Sequence, residues 1–145
     1  MKVRYLNYQN KSDPMSGTIL AEAPMLSKLL DAQRNEPPFL AELSADNGYH
    51  IEYGIGGDVS CVQFSRNDGD PPYLMAVSAR PSMLSGYVEF LTANTPTPVA
   101  ARYIISFDEL KVIALYFLKT GKRSDYVSWQ RLNPRAVKED AERRF

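Results

Sequence analysis

The sequence has few of the side chains on which nucleophilic and metal-assisted catalysis depend. Its 145 residues include one histidine, His50, and one cysteine, Cys61. A single histidine excludes a histidine-rich metal site, and a Ser-His-Asp or Cys-His nucleophile system would have to use His50. One cysteine excludes a disulfide within the chain and fits a reducing compartment. The residue types therefore predict a protein without catalytic residues, cofactor or metal.

The chain also lacks an excess of either charge and any long apolar run. Lys+Arg and Asp+Glu both number 17, so the formal net charge is zero. A general nucleic-acid binder needs a basic surface for phosphate, so this balance argues against that class. No run approaches the ~20 apolar residues of a membrane span, and the N-terminus has no apolar signal-peptide core. We expect a cytoplasmic protein without membrane contacts.

What the chain does have is enough apolar side chains for one core. The hydrophobic fraction is 44%, and the length suits a single domain over residues 1–145. The charged tail from about residue 134 is expected to be a solvated short helix or partly disordered.

The clearest local pattern is a helix between Ser106 and Gly121. Ser106 and Glu109 match a capping box, and Gly121 can take the left-handed conformation that ends a helix. Spacings of three and four residues predict one apolar stripe, made of Leu110, Ile113, Ala114, Phe117 and Leu118. A second helix is predicted from residue 24 to about 35. The only tryptophan, Trp129, follows the long helix, and we expect its indole to pack back against the domain.

Short β-type segments fill the rest of the chain, separated by Gly, Asn and Asp residues that suit hairpin turns. The predicted strands are 3–8, 39–44, 49–53, 59–65, 73–78, 87–92 and 101–105, whereas 95–99 (TPTPV) is expected to be an extended connection. This order predicts an α+β fold, an antiparallel meander sheet with two main helices packed on one face.

The sequence around His50 and around Cys61 favours a structural role over a catalytic one for both residues. In the strand YHIEY, His50 and Glu52 point away from the tyrosine side, so His50 is predicted to lie on the open face as a surface cross-strand residue. Cys61 has no basic neighbour in sequence to lower its pKa and is predicted to be a small core residue. The glycines of residues 54–57 precede a strand rather than a phosphate-binding helix, and residues 67–70 lack a calcium loop's ligand pattern. Both are predicted to be turns.

Successive turns of a meander alternate between the two ends of the sheet. Asp46, Asp68 and Asp70 should therefore gather at one end and Asp58 at the other. The first three would form an acidic rim, with Asn47, Asn67 and Asn94 as amide members. The alternative is that hairpin turns are rich in Asp and Asn for backbone reasons alone.

A series of short motifs runs in order from residue 39 to residue 130. They are a G-x-G-G-D hairpin, a Tyr-Leu strand, a Glu-bearing strand, a proline-rich link, a helix ending in Thr-Gly and a closing V-x-W. The matching residues are Gly54, Gly56, Gly57, Asp58, Tyr73, Leu74, Glu89, Phe90, Pro96, Pro98, Val99, Phe117, Thr120, Gly121, Val127 and Trp129. Together they resemble the immunity protein family found beside deaminase-type polymorphic toxins of bacteria. The chain departs from the pattern at Leu118, where a polar residue is common, and at Ala100, where proline is common.

The resemblance implies a non-enzymatic protein that binds a cognate toxin domain and blocks its active site. The toxin would be a nucleic-acid deaminase, whose positively charged substrate channel calls for carboxylates and aromatic anchors on the inhibitor. The expected toxin-binding residues are Asp46, Asp68, Asp70 and Tyr73, with Glu52 and Glu89 as second candidates and Asp58 on another face.

Two alternatives remain open on the residues alone. One is a small hydrolase that uses Asp/Glu acid–base chemistry. The other is a nucleic-acid-binding module that stacks bases on Tyr49, Tyr53, Tyr73 and Tyr87.

Overall fold

Nine strands and two α-helices make up the part of the chain that the computed structural model describes, residues 1–70, 72–80 and 85–132. The predicted charged tail from about residue 134 lies outside these ranges. The strands are β1 (Val3–Asn7), β2 (Ile19–Leu20), β3 (Phe39–Ala45), β4 (Tyr49–Gly56), β5 (Val59–Arg66), β6 (Tyr73–Val77), β7 (Tyr87–Thr92), β8 (Thr95–Ala100) and β9 (Ser128–Leu132). The helices are α1 (Ala23–Gln33) and α2 (Phe107–Thr120), and a 3-10 turn spans Ala101–Tyr103.

The strands join in one sheet with the order β2-β1-β3-β4-β5-β6-β9. Each neighbouring pair along this path is antiparallel. β7 and β8 form a hairpin that joins β3 through one parallel pair, Phe39 with Leu91. The predicted α+β meander is confirmed.

Helix α2 has the ends that its sequence predicts. The Ser106 hydroxyl accepts from the Glu109 N–H at 3.1 Å, and the Glu109 carboxylate accepts from the Ser106 N–H at 2.9 Å. Gly121 ends the helix with φ of 68°, in the left-handed region. The predicted apolar stripe is buried, so α2 covers one face of the sheet together with α1. In the described ranges, no helix is long and apolar enough to cross a bilayer.

Among the described residues, the core between the helices and the sheet contains one buried amide, Gln33 of α1. Its Nε2 donates to the Tyr5 hydroxyl oxygen at 2.7 Å, and its Oε1 accepts from the Tyr53 hydroxyl at 2.9 Å. The Tyr5 hydroxyl in turn donates to Asp13 at 2.6 Å. Because every polar atom in this chain of bonds has a partner, the amide joins α1 to the sheet without an unsatisfied group. Tyr53 is fully buried, so it cannot stack nucleic-acid bases as the nucleic-acid-binding alternative would require.

The opposite face of the sheet, predicted to be open, is partly covered by the β7–β8 hairpin. Phe90 of β7 is fully buried. A Cβ at Gly54 of β4 would lie 2.6 Å from the Phe90 ring and 2.7 Å from the Cys61 sulfur, so only glycine admits this close approach. A second apolar cluster results. It contains Leu40, Cys61, Met75, Phe90, Tyr103 and Ile104.

Two predictions near this hairpin are wrong, one of an extended connection and one of a strand. The segment 95–99 is not an extended connection but lies in β8, where prolines are tolerated because β8 is an edge strand that pairs only with β7. The two-residue turn before it places Ala93 and Asn94 at φ of 49° and 66°, as the twist of a tight hairpin requires. The segment 101–105 is not a strand: Ala101–Tyr103 form a 3-10 turn, and Ile105 makes an isolated bridge to Ser60.

The chain returns to the sheet after α2 as β9, which pairs with β6. Trp129 packs edge-on against Phe64, with ring centroids 6.3 Å apart, and its indole N–H donates to the Ser124 carbonyl at 2.8 Å. The predicted packing of the indole is confirmed, but the ring is half-buried rather than enclosed, because β9 lies at the edge of the sheet.

Candidate interaction surfaces

The turns after β3 and β5 lie side by side at one end of the sheet. The Asn67 N–H donates to the Gly48 carbonyl at 2.9 Å, and the Asn67 side chain donates to the Ala45 carbonyl at 3.1 Å. The structure thus brings together Asp46, Asp68 and Asp70, and all three are exposed. We call this group the turn-end surface.

The charge of the turn-end surface is mixed, although the sequence predicted an acidic rim. Arg66 pairs with Asp68 at 2.9 Å, and Arg123 lies near the same end with its guanidinium carbon 5.5 Å from the centre of the Phe64 ring. Asp46 and Asp70 form no ion pair with another described residue. These two carboxylates are the ones that a basic partner could engage without first displacing an arginine.

Asn94, a predicted member of the rim, and Asp58, predicted to lie away from it, are both at the opposite end of the sheet. Asn94 does not join the rim, since its side chain and its N–H are both bound by the Gln9 side chain at 2.6 and 2.7 Å. Asp58 lies in the β4–β5 turn, as predicted, and is paired with Arg34. Glu89 is exposed on the β7–β8 hairpin.

An aromatic cleft of about 540 Å³ adjoins the turn-end surface. Tyr49 stacks on Phe64 with centroids 5.0 Å apart, and Trp129 meets Phe64 edge-on. The polar part of the lining has both charges, and its members are Asn47, Lys122, Arg123, Ser124 and Asp125. Sequence reasoning missed this cleft because its aromatic residues come from β4, β5 and β9, and only strand pairing brings them together. Tyr73, half-buried at the start of β6, lies just beyond the β5–β6 turn.

The other face of the sheet carries a row of polar side chains centred on Glu42. Its carboxylate accepts from the Tyr8 hydroxyl at 2.6 Å and lies 3.6 Å from His50 Nε2. His50 also contacts Ser65 at 3.2 Å and Asn67 at 3.0 Å. The His50 side chain is only 14% exposed. It has the predicted cross-strand role, but the prediction that it lies on an open surface is wrong.

Glu52 lies directly opposite Glu42 on the neighbouring strand. Burial, and secondarily the charge of Glu42, raises the pKa of Glu52 to about 7. A carboxyl group with that pKa is about half protonated at neutral pH, which relieves the repulsion between the two side chains.

Cys61 is buried on the same face, as predicted. Burial, together with the charge of Glu52, raises the pKa of its thiol to about 12, so the nucleophilic thiolate is scarce at neutral pH. In the described ranges, no group of three or more His, Cys, Asp and Glu side chains is placed to hold a metal ion.

The sequence matches one family model, described as "Immunity protein Imm1", over residues 21–131. The match spans α1, which the short motifs did not cover, and continues into β9. A comparison with curated proteins finds no match.

Proposed function

The chain belongs to the Imm1 immunity protein family, and we propose that it neutralises a nucleic-acid deaminase toxin in the cytoplasm by covering the toxin's active site. Family membership supports a toxin protein as the partner and immunity as the function. The proposal adds three points. The toxin is a nucleic-acid deaminase, it belongs to a polymorphic toxin system, and the chain inhibits it by covering its active site rather than by catalysing a reaction.

One observation carries the choice of surface, namely the position of exposed carboxylates beside an aromatic cleft. Interfaces gain most of their affinity from a few aromatic and arginine side chains in desolvated positions. The cleft supplies Tyr49, Phe64 and Trp129 for such contacts. Asp46 and Asp70 stand at its margin in the turn-end surface without an ion pair among the described residues.

Charge complementarity connects this surface with a deaminase. An enzyme that binds a nucleic-acid strand lines its channel with Lys and Arg to meet the phosphates. Carboxylates on the inhibitor would meet the same side chains, so the bound inhibitor and the strand would compete for one surface. Tyr73 and Asp68 extend the proposed contact, Glu52 and Glu89 are secondary members, and Asp58 marks the alternative surface at the opposite end.

A charge-reversal experiment tests the proposal. The double variant Asp68→Lys with Asp70→Lys is compared with Asp58→Lys, an exposed aspartate at the other end of the sheet. Because exposed charges act mainly on encounter, the double variant should slow association with the deaminase domain about ten-fold or more at low salt. It should also protect toxin-expressing cells less well, whereas Asp58→Lys should behave as the parent. A folded double variant that binds and protects like the parent would show that the turn-end surface is not the contact.

A further inference from the structure

A small cavity lies on the face of the sheet that the β7–β8 hairpin partly covers. Its volume is about 210 Å³. Most of its wall is apolar or aromatic, and the polar side chains include Glu52 and Gln63. The apolar and aromatic wall includes Leu40, Met75, Val99, Tyr103 and Leu132. The cavity is below the ~300–1,000 Å³ of small-molecule sites, so its size fits one side chain of a partner better than a cofactor.

The charge of this cavity comes from Glu52, which makes no hydrogen bond or ion pair with another described side chain. Glu42, directly opposite on β3, is already bonded to the Tyr8 hydroxyl at 2.6 Å. No Lys or Arg is among the described residues that line the cavity. Arg102 stacks on the Tyr103 ring, at 4.9 Å from its centre, and is not part of the lining. Glu52 therefore faces an apolar cavity whose described lining contains no cation, and Glu42 lies directly opposite it on β3, outside that lining.

We infer that this cavity receives an arginine side chain of the toxin, with its guanidinium group against Glu52 and Glu42. The inference rests on the proposed function, because it names a contact within the same complex. The aliphatic part of an arginine would lie on the apolar wall, as long basic side chains commonly do on apolar surfaces.

Arginine fits better than lysine for a geometric reason. The two carboxyl groups project from directly opposed positions on adjacent strands, where Cβ atoms lie about 4.5–5.5 Å apart. A planar guanidinium group presents several donors in a fixed fork and can bond to both carboxylates at once, whereas an ammonium group acts as a point charge.

Binding of an arginine at Glu52 should be accompanied by proton release, which can be measured. The bound guanidinium group needs Glu52 ionised, but Glu52 holds a proton in about half of the free molecules at neutral pH. Arginine binding should therefore release a proton and tighten between about pH 6 and pH 8. The other titratable groups near Glu52 are Glu42, His50, Tyr8, Cys61, Tyr87 and Tyr103. Histidine also changes charge in this range, so a His50→Gln variant separates its contribution.

The first test uses the full chain and a small probe. Argininamide is titrated while the methyl signals of Met75 and Leu40 are followed by NMR, and citrullinamide, which replaces the guanidinium group by a neutral urea, is the matched control. We expect saturable shifts with argininamide alone, binding at least ten-fold weaker in Glu52→Gln, and binding that tightens with pH in both the parent and His50→Gln. Equal shifts with both probes, or a response that Glu52→Gln leaves unchanged, would overturn the inference.

The second test uses the toxin and separates this inference from the proposed function. Glu52→Gln should weaken binding of the deaminase domain at least ten-fold at pH 8 and remove the pH dependence, while exposed Glu36→Gln should do neither. Toxin binding that is unaffected by Glu52→Gln would refute the arginine contact and leave the immunity function intact. Probe binding without any binding of a deaminase would refute the proposed partner and retain the cavity as a guanidinium site.

Discussion

Replacing Glu52 by glutamine should stabilise the free protein at neutral pH. Burial and the charge of Glu42 raise the pKa of Glu52 from 4.5 to about 7. Since one pKa unit corresponds to about 1.4 kcal/mol, ionising this side chain in the folded protein costs about 3 kcal/mol more than in the unfolded chain. Glutamine has nearly the shape of the protonated acid and does not ionise, so Glu52→Gln removes this cost.

The pH dependence has a definite sign. Between about pH 4.5 and pH 7 the folded protein keeps the Glu52 proton while the unfolded chain releases it. The folded state then binds more protons, so this group lowers the free energy of unfolding as pH rises. The difference between Glu52→Gln and the parent should be near zero at pH 4.5 and reach about 2–3 kcal/mol at pH 8.

Urea unfolding at intervals from pH 4.5 to pH 8 measures this difference. Other groups with shifted pKa values, such as Asp13, are present in both proteins and cancel in the comparison. The exposed substitution Glu36→Gln is the control and should leave the parent's profile unchanged. If Glu52→Gln and the parent have the same stability at every pH, Glu52 is not a partly buried acid with a raised pKa.

Two further substitutions test the packing on each face of the sheet. Trp129→Ala should lower the free energy of unfolding by about 2–3 kcal/mol, less than the ~3–5 kcal/mol of an enclosed aromatic ring, because the Trp129 ring is half-buried. Urea unfolding measures this loss, with the exposed substitution Tyr126→Ala as the control. Equal losses of stability in the two variants would contradict the packing of Trp129 on Phe64. Gly54→Ala should lower the free energy of unfolding by about 1–3 kcal/mol, because the alanine methyl group would collide with the Phe90 ring. If this variant is as stable as the parent, the β7–β8 hairpin does not pack on Gly54.

Helix α2 could be predicted from the sequence because its determinants are local. Ser106, Glu109 and Gly121 lie within one segment, and each acts on a backbone group only a few residues away. The β7–β8 hairpin could be predicted only in part. The two prolines of β8 argue against a strand unless the strand is known to lie at an edge, and that position depends on the whole sheet.

The candidate surfaces, too, could be predicted from the sequence only in part. Meander geometry was enough to place Asp46 near Asp68, since the turns at one end of such a sheet are neighbours. The prediction of an acidic rim counted only the carboxylates of the turns and left out Arg66, which lies two residues before Asp68 in the sequence and pairs with it. The cavity at Glu52 depends on a hairpin that folds back across the sheet and joins it through a single residue pair, so no sequence pattern indicated it.

Stoichiometric inhibition is the most direct measure of the central claim, that the chain neutralises a deaminase toxin by covering its active site. A fixed amount of the cognate deaminase domain is titrated with the protein while deamination of a nucleic-acid substrate is followed. Nanomolar or tighter binding, about −12 kcal/mol or better, predicts that activity falls linearly to zero at one molar equivalent, and that excess substrate slows the onset of inhibition. Full deaminase activity in the presence of excess folded protein, or complete loss of activity at a small fraction of an equivalent, would contradict inhibition by occlusion.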